Sequence, residues 1–230
     1  MSIKDNIKKL KDEIPSYVKI LAATKTRSIF QIKEAINSGI KIFGENYVQE
    51  AEKKYKNIKN NKIELYFIGH LQKNKINRAL KLFDLLTIDS FELAAAIDKR
   101  ANEKNKFFSS IKSTKYFLYN KKIPVLIEVN ISNEPNKQGC KPQELIGLIK
   151  KISKLKNIEI QGLIAMAPYF EDEEKTRPYF KKMKSLFNKI KKLKIKSIKM
   201  DILSLGMSND YKIAIQEGSN LIRIGSLIFG

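Results

Sequence analysis

The sequence predicts a single (β/α)8 barrel, because eight short apolar runs alternate with helical patterns along the 230 residues. The runs are continuously apolar, as is typical of parallel strands that are covered on both faces. Polar residues gather where the runs end, and the beginnings are mostly apolar. A doubly wound sheet is the alternative, but no Gly-Xaa-Gly-Xaa-Xaa-Gly follows the first run. The eight runs are residues 18–25, 40–47, 65–71, 85–90, 123–130, 158–166, 201–207 and 221–229.

The segments between the runs carry helix signals. Residues 28–38 have isoleucines at helical spacing and stop at Gly39, a residue suited to the position after a helix. Ser90 can cap a helix over residues 91–104, and Pro142 lies near the start of another. An amphipathic helix is expected at the N-terminus, and an irregular connection over residues 105–122. The remaining helical patterns are residues 48–58, 74–83, 142–155, 176–194 and 208–218.

Composition places the chain among globular proteins, with 43% apolar and 30% charged residues. No stretch is long and apolar enough to span a membrane, and the N-terminus has no signal-peptide core. We therefore expect one domain over residues 1–230, in the cytoplasm and without a membrane partner. The single cysteine excludes an intrachain disulfide, and with only one histidine a His/Cys zinc site is not expected.

The formal net charge of +21 has two interpretations. One is a polyanionic partner, such as nucleic acid, and the other is a lysine-rich composition with no specific partner. Only five of the 45 basic residues are arginines, although arginine is favoured in base readout. We therefore expect no specific nucleic-acid partner, and at most nonspecific binding of polyanions at low salt.

Two charged residues stand in apolar surroundings. Lys25 ends the first run, and Arg223 lies inside the last one, where a charge without a partner is costly to desolvate. Together they indicate an anionic, carbonyl-bearing ligand. A lysine amine can attack an aldehyde, and burial among apolar neighbours helps by favouring the neutral amine. The alternatives for Lys25 are simple exposure to solvent or an ion pair with Glu45.

The loops after the seventh and eighth runs are where barrels often bind phosphate. Gly206 and Gly225 allow the backbone to approach a ligand closely, and Ser208 and Ser226 add hydroxyl donors. The N–H groups at a helix start favour an anion, and Arg223 adds a charge-assisted contact. The alternative is that Ser208 is a plain helix cap and Gly225 a packing glycine.

Other strand ends carry further candidates. Alternation places Asn46 on the opposite face from Glu45, so Asn46 can face a ligand while Glu45 pairs with a neighbouring element. His70 either contacts a ligand or satisfies a hydrogen bond at the strand end. Glu128 also lies at a strand end, without an assigned role. Cys140 is expected in a solvated loop and inert.

Seven motifs in this chain resemble those of the pyridoxal-phosphate homeostasis proteins, whose fold is that of the barrel domain of bacterial alanine racemase. The most specific are residues 66–75 (YFIGHLQKNK) and 203–208 (LSLGMS). They occur in the order found in the family. The other motifs are residues 21–26, 43–50, 129–132, 162–166 and 223–226.

The resemblance implies roles for individual residues. Lys25 matches the lysine that forms an aldimine with pyridoxal 5′-phosphate. The positions that match the phosphate-binding set are Ser208, Arg223, Gly225 and Ser226, and those that match cofactor-lining positions are Asn46, His70, Ser204 and Met207. The chain departs from the usual family pattern at Thr24, Tyr66 and Leu205, where Ser, His and Met are commoner. These departures put in doubt only the details beneath the cofactor ring.

The function implied by the resemblance is storage, shielding or delivery of pyridoxal phosphate, with apo pyridoxal-phosphate enzymes as partners. Related racemases use a tyrosine from a second domain as their second base, and this chain ends at Gly230, after the eighth run. We therefore expect a monomer without efficient catalysis. The alternative is a weak pyridoxal-phosphate-dependent amino-acid racemase.

Overall fold

The computed structural model describes residues 2–56, 58, 63–107, 122–135 and 137–230, with backbone only for 104–107. Eight parallel strands form a closed barrel in chain order, and the last strand pairs with the first. This confirms the predicted (β/α)8 barrel. The strands are β1 (Lys19–Ala23), β2 (Ile42–Glu45), β3 (Glu64–Phe67), β4 (Leu85–Ile88), β5 (Ile123–Glu128), β6 (Ile158–Ile164), β7 (Ile198–Ser204) and β8 (Leu221–Ile224).

Helices cover the outside of the barrel, and nine lie in the described ranges. Side-chain caps fix three of their starts, because the hydroxyls of Ser2, Ser28 and Ser90 each accept an N–H three residues later, the last as predicted. No helix in these ranges is long and apolar enough to cross a membrane. The helices are α1 (Ile3–Glu13), α2 (Ile29–Asn37), α3 (Val48–Tyr55), α4 (Ile76–Leu82), α5 (Phe91–Phe107), α6 (Leu145–Ile152), α7 (Arg177–Lys192), α8 (Tyr211–Gln216) and α9 (Ser226–Phe229).

The barrel interior is apolar at one end and polar at the other. Along β5, β7 and β8 the inward positions change to Glu128, Ser204 and Arg223 toward the carboxyl ends, because inward side chains recur every second residue. The apolar side chains therefore close the amino end of the interior, and the polar positions lie toward the carboxyl end. The apolar cluster consists of Leu21, Ile42, Tyr66, Leu85, Leu126, Ile164 and Leu221.

Strand β8 is shorter than predicted. The apolar run over residues 221–229 is one strand only to Ile224, and Gly225 then precedes the short helix α9. The carbonyl of Ile228 accepts a bond from the Asn6 amide at 3.1 Å, and Phe229 is buried. The end of the run is therefore apolar because it packs against α1, outside the sheet.

Strand β7 begins at Ile198, three residues earlier than the predicted start at residue 201. The sequence missed this start because the strand begins with polar residues. One of them, Lys199, lies on the exposed face and pairs with Glu159 of β6 at 3.0 Å. The register between these strands shifts next to Gly162, where a side chain would overlap the carbonyl oxygen of Ile202. This close approach of two backbones explains the glycine.

The boundaries of helices α5 and α6 also differ from the prediction. Helix α6 begins at Leu145, and residues 142–144 form a turn, so Pro142 precedes the helix rather than standing in its first turn. Helix α5 continues to Phe107, past the predicted end at residue 104. The predicted irregular connection therefore begins later than residue 105, and its residues 108–121 lie outside the described ranges.

Candidate functional site

A cleft of about 690 Å³ opens at the carboxyl end of the barrel. This volume lies within the range of about 300–1,000 Å³ that is typical of small-molecule sites. Of the nine predicted site residues, the cleft is lined by Lys25, Asn46, His70, Met207, Ser208, Arg223, Gly225 and Ser226. Ser204 does not line it. The fold therefore brings eight residues from the two halves of the chain to one surface.

Lys25 lies on the cleft wall, two residues beyond the end of β1. Its side chain is exposed to solvent, as one of the alternatives for this lysine has it, and is not buried among apolar neighbours. The chain leaves the barrel at this point, since Thr24 is fully buried, whereas Thr26 is exposed and has a left-handed φ of 64°. The Lys25 amine is thus accessible to a ligand and to water.

Asn46 and Glu45 point to opposite sides of β2, as predicted. Asn46 is half-buried and lines the cleft, whereas Glu45 is fully buried on the helix side of the barrel. There the carboxylate of Glu45 pairs with the amine of Lys54 on α3 at 3.0 Å. Because Glu45 pairs with Lys54, the alternative ion pair between Lys25 and Glu45 does not form.

Arg223 is the buried charge of the site, with 5% of its surface exposed. Its guanidinium donates to the carbonyl and the hydroxyl of Ser204, both at 2.9 Å, and to the carbonyl of Ala165 at 2.9 Å. Burial lowers the pKa of Arg223 to about 10, against the opposing effects of Glu128 and Asp210. The desolvated arginine is therefore held mainly by the hydrogen bonds that it donates to acceptors at the carboxyl ends of β7 and β6.

Ser204 is fully buried beneath the cleft. In this structure its hydroxyl accepts the bond from Arg223 instead of lining the cleft, and its role toward a ligand stays a prediction. It fixes the position of an arginine that lines the cleft.

Tyr66, where the chain departs from the usual family pattern, also lies away from the opening. Its hydroxyl donates to Glu64 at 2.8 Å near the start of β3.

The loop after β7 turns back on itself before α8. The carboxylate of Asp210 accepts the N–H of Met207 at 2.7 Å, and α8 begins only at Tyr211. The predicted helix start at Ser208 is therefore wrong, because residues 207–210 form a turn. Gly206 enters this turn with φ +87°, a conformation that favours glycine.

The loops after β7 and β8 contact each other through the hydroxyl of Ser208, which accepts the N–H of Leu227 at 3.4 Å. Within the described residues, the N–H groups of Ser208, Asn209 and Gly225 have no hydrogen-bond acceptor. The N–H of Ser226 begins α9 and has no acceptor in its own helix. These donors border the cleft near Arg223 and provide the features of an anion site.

Glu128 lines the cleft from β5, and the sequence did not assign it a role. Burial raises its pKa to about 7, with a further increase from Asp89 and an opposing effect of Arg223. Its inward direction follows from alternation with Leu126, which was the available signal. Two further cleft residues, Gln138 and Tyr169, come from loops and had no sequence signal.

His70 lies on the cleft wall at the end of β3, with 52% of its side chain exposed. Its Nδ1 is 3.6 Å from a carboxylate oxygen of Asp89, which follows β4. The ring therefore contacts a neighbouring strand end while it borders the cleft, and its contact with a ligand stays a prediction.

Cys140 is not in a solvated loop, as the sequence had predicted. It is buried, pairs with Val129 in a β-bridge, and its pKa is raised to about 12, mainly by burial. The nearby Lys137 pairs with Glu134 at 2.7 Å.

Among the described residues there is no group of three or more His, Cys, Asp or Glu side chains that could hold a metal ion.

Comparison with known proteins places this barrel and cleft in a family. The sequence model of the alanine racemase N-terminal domain matches residues 1–230. A protein of Aquifex aeolicus (strain VF5) named pyridoxal phosphate homeostasis protein is 38% identical over 213 residues, which cover 92% of this chain and 86% of that protein. A Homo sapiens protein of the same name is 34% identical over 222 residues, covering 92% and 76%.

Solved structures agree with these matches. PipY of Synechococcus elongatus PCC7942, whose structure has PLP bound, is 27% identical and superposes over all of both chains with a TM-score of 0.85. Alanine racemase of Clostridium difficile 630 is 16% identical with a TM-score of 0.78, over all of this chain and 59% of that one, which indicates a common fold. The chain therefore belongs to the pyridoxal phosphate homeostasis proteins, within the wider alanine racemase N-terminal domain family.

Proposed function

We propose that this protein binds pyridoxal 5′-phosphate reversibly as an aldimine on Lys25 and takes part in storing, shielding or delivering the cofactor to apoenzymes. The observation that carries the proposal is that one cleft is bordered by the amine of Lys25 and by the N–H groups of Ser208, Asn209 and Gly225, which have no acceptor among the described residues. A ligand that carries both an aldehyde and a phosphate matches this pair of features.

The residues of the cleft fit the cofactor chemically. The two loops after β7 and β8 supply N–H groups and serine hydroxyls for a phosphate, and Arg223 adds a fixed donor group. When bound, the cofactor supplies an electrophilic aldehyde carbon and an electron-withdrawing ring. The protein's own residues hold the anion, present the amine and leave the opening accessible.

Exposure of the cleft favours binding and release over catalysis. Lys25 is exposed and so is 52% of the His70 side chain, so water reaches the reacting groups. Efficient electrostatic catalysis depends on fixed dipoles in a site from which water is excluded. The relatives' name and the cofactor in PipY agree with a carrier of pyridoxal phosphate.

Absorption spectroscopy tests the covalent bond. The purified protein is mixed with pyridoxal phosphate and compared with Lys25→Ala, and with Lys33→Ala as a control for exposed lysines. We expect an aldimine band that borohydride abolishes in the wild type and the control, and no such band in Lys25→Ala. A band of equal strength in Lys25→Ala would mean that surface lysines react and would overturn the proposal.

A weak amino-acid racemase is the second candidate, favoured by one observation. Glu128 is a largely buried carboxyl in the same cleft as Lys25, with a pKa raised to about 7, which suits an acid–base group. Exchange of an amino acid's α-proton with deuterated solvent distinguishes the two functions. Exchange well above the rate with free pyridoxal phosphate, and lost in Glu128→Gln, would favour the racemase.

A further inference from the structure

A buried charged group lies behind the end of β1, outside the barrel. Lys54 of α3 has 10% of its side chain exposed, and its amine makes three contacts. It lies 3.0 Å from the carboxylate of Glu45, 2.6 Å from that of Glu50 and 2.5 Å from the carbonyl oxygen of Thr24. Its donors are therefore all directed at groups around the start of the loop that carries Lys25.

These contacts reach the residues on both sides of Lys25. On one side, the amine of Lys54 holds the carbonyl of Thr24. On the other side, the N–H of Thr26 donates to Glu50 at 2.8 Å, and the same carboxylate oxygen pairs with Lys54. Thr26 has a left-handed φ of 64°, which is unfavourable for a β-branched residue without support. Lys54 therefore supports the backbone on both sides of Lys25, directly at Thr24 and through Glu50 at Thr26.

The side chain of Thr24 completes the group. Its hydroxyl donates to Glu45 at 2.7 Å and lies 3.0 Å from the hydroxyl of Tyr55. Glu45 is fully buried, and burial raises its pKa against the opposing effects of Thr24 and Lys54. Its second carboxylate oxygen has no hydrogen-bond partner in the described part of the chain.

Stability alone does not account for this arrangement. A buried ion pair loses hydration, and apolar residues of similar volume are often as stabilising or more so. Here one oxygen of Glu45 remains unsatisfied as well. Lys54 and Glu50 make directed hydrogen bonds to the backbone next to Lys25, and apolar side chains could not make these bonds.

We propose that Lys54 is a positioning residue that holds the amine of Lys25 on the cleft wall for its reaction with the aldehyde. The inference rests on the proposed function. In that reaction the nitrogen bonds to the aldehyde carbon, a C=N bond replaces C=O, and the oxygen leaves as water with two protons from the amine. Loss of the geometry lowers the rate, because misplacement by about 1 Å can cost on the order of a hundredfold.

The test measures reaction and stability separately in the full chain. The rate at which the aldimine band grows with pyridoxal phosphate is compared between wild type and Lys54→Met, together with the melting temperature. We expect a rate at least about tenfold lower. Arg78→Met is the matched control. Arg78 of α4 pairs with Glu52, a partly exposed residue on the same helix as Lys54, so this variant should leave the rate unchanged.

The double variant Glu45→Gln/Lys54→Met separates positioning from folding. In Lys54→Met the buried carboxylate of Glu45 loses its charge partner, and the double variant removes that carboxylate as well. We therefore expect the melting temperature to recover while the rate stays low. A rate that recovers together with the melting temperature would assign Lys54 a merely structural role and overturn the inference. So would a wild-type rate in Lys54→Met. A wild-type protein without an aldimine band would overturn the proposed function as well.

Discussion

The guanidinium of Arg223 and the hydroxyl of Ser204 lie 2.9 Å apart beneath the cleft, and both side chains are buried. The pair joins β8 to β7, the two strands whose loops carry the unpaired N–H groups. A fixed arginine at this place links the stability of the barrel to the geometry of the anion site.

The first prediction removes that hydroxyl. Ser204→Ala leaves Arg223 with fewer acceptors in a buried position, although the carbonyls of Ser204 and Ala165 remain. We expect a loss of about 1–3 kcal/mol in the free energy of unfolding, measured with urea, and weaker binding of pyridoxal phosphate. Ser153→Ala, at a partly exposed hydroxyl that bonds to the carbonyl of Lys150, is the control. Equal stability of the two variants would contradict the supporting role of Ser204.

The second prediction concerns Glu128 and pH. Its pKa in the folded protein is raised to about 7 from the ordinary 4.5, chiefly by burial, with Asp89 adding to the shift and Arg223 opposing it. A raised pKa means that the folded state binds a proton more tightly than the unfolded chain. Its contribution to stability is therefore fully present below pH 4.5 and is lost as the pH rises through about 7.

Glu128→Gln removes this titration. We expect the variant to gain on the order of 1–3 kcal/mol over the wild type at pH 8, and a much smaller difference at pH 5. Urea unfolding at the two pH values measures it. His70→Gln, at the neighbouring residue that contacts Asp89, serves as the comparison. A difference between wild type and Glu128→Gln that does not change with pH would contradict the buried position of this carboxyl.

The barrel followed from sequence because an apolar run marks each of its strands, as is typical of parallel strands covered on both faces. The same criterion failed where apolar residues serve another purpose. Residues 226–229 are as apolar as a strand but form α9 against α1. Cys140 follows polar residues, and its burial comes from a β-bridge to Val129, which no local pattern indicates.

Within the site, the sequence identified the residues at strand ends and missed those that support them. The inward direction of Glu128 was available from alternation with Leu126. The role of Ser204 was not, because alternation gives a direction and says nothing of what Arg223 bonds. Lys54 is one lysine among many in a chain with a net charge of +21, and only the packing of α3 on β1 and β2 distinguishes it.

The third prediction tests the turn after β7. Gly206 has φ +87°, and an added Cβ would lie 2.6 Å from the Cβ of Ala214 on α8. We expect Gly206→Ala to lower the free energy of unfolding by about 1–3 kcal/mol and to weaken the binding of pyridoxal phosphate, because the turn must move. Gly147→Ala, at a helical position with open space, is the control and should be neutral or slightly stabilising. Unchanged affinity in Gly206→Ala would separate this turn from the anion site.

The fourth prediction separates the affinity for pyridoxal phosphate from the stability of the fold. Ser226 is exposed at the start of α9, beside the N–H group of Gly225 that has no acceptor in the described ranges. In Ser226→Asp, the new carboxylate occupies the position expected for the phosphate and repels it, so the affinity for pyridoxal phosphate should fall at least about tenfold. The same charge lies at a helix start, where it is neutral or slightly favourable, so the melting temperature should not fall. Ser226→Asn keeps the shape without the charge and should retain most of the affinity. Equal losses of affinity in the two variants would mean that shape, and not repulsion of an anion, governs binding at this loop.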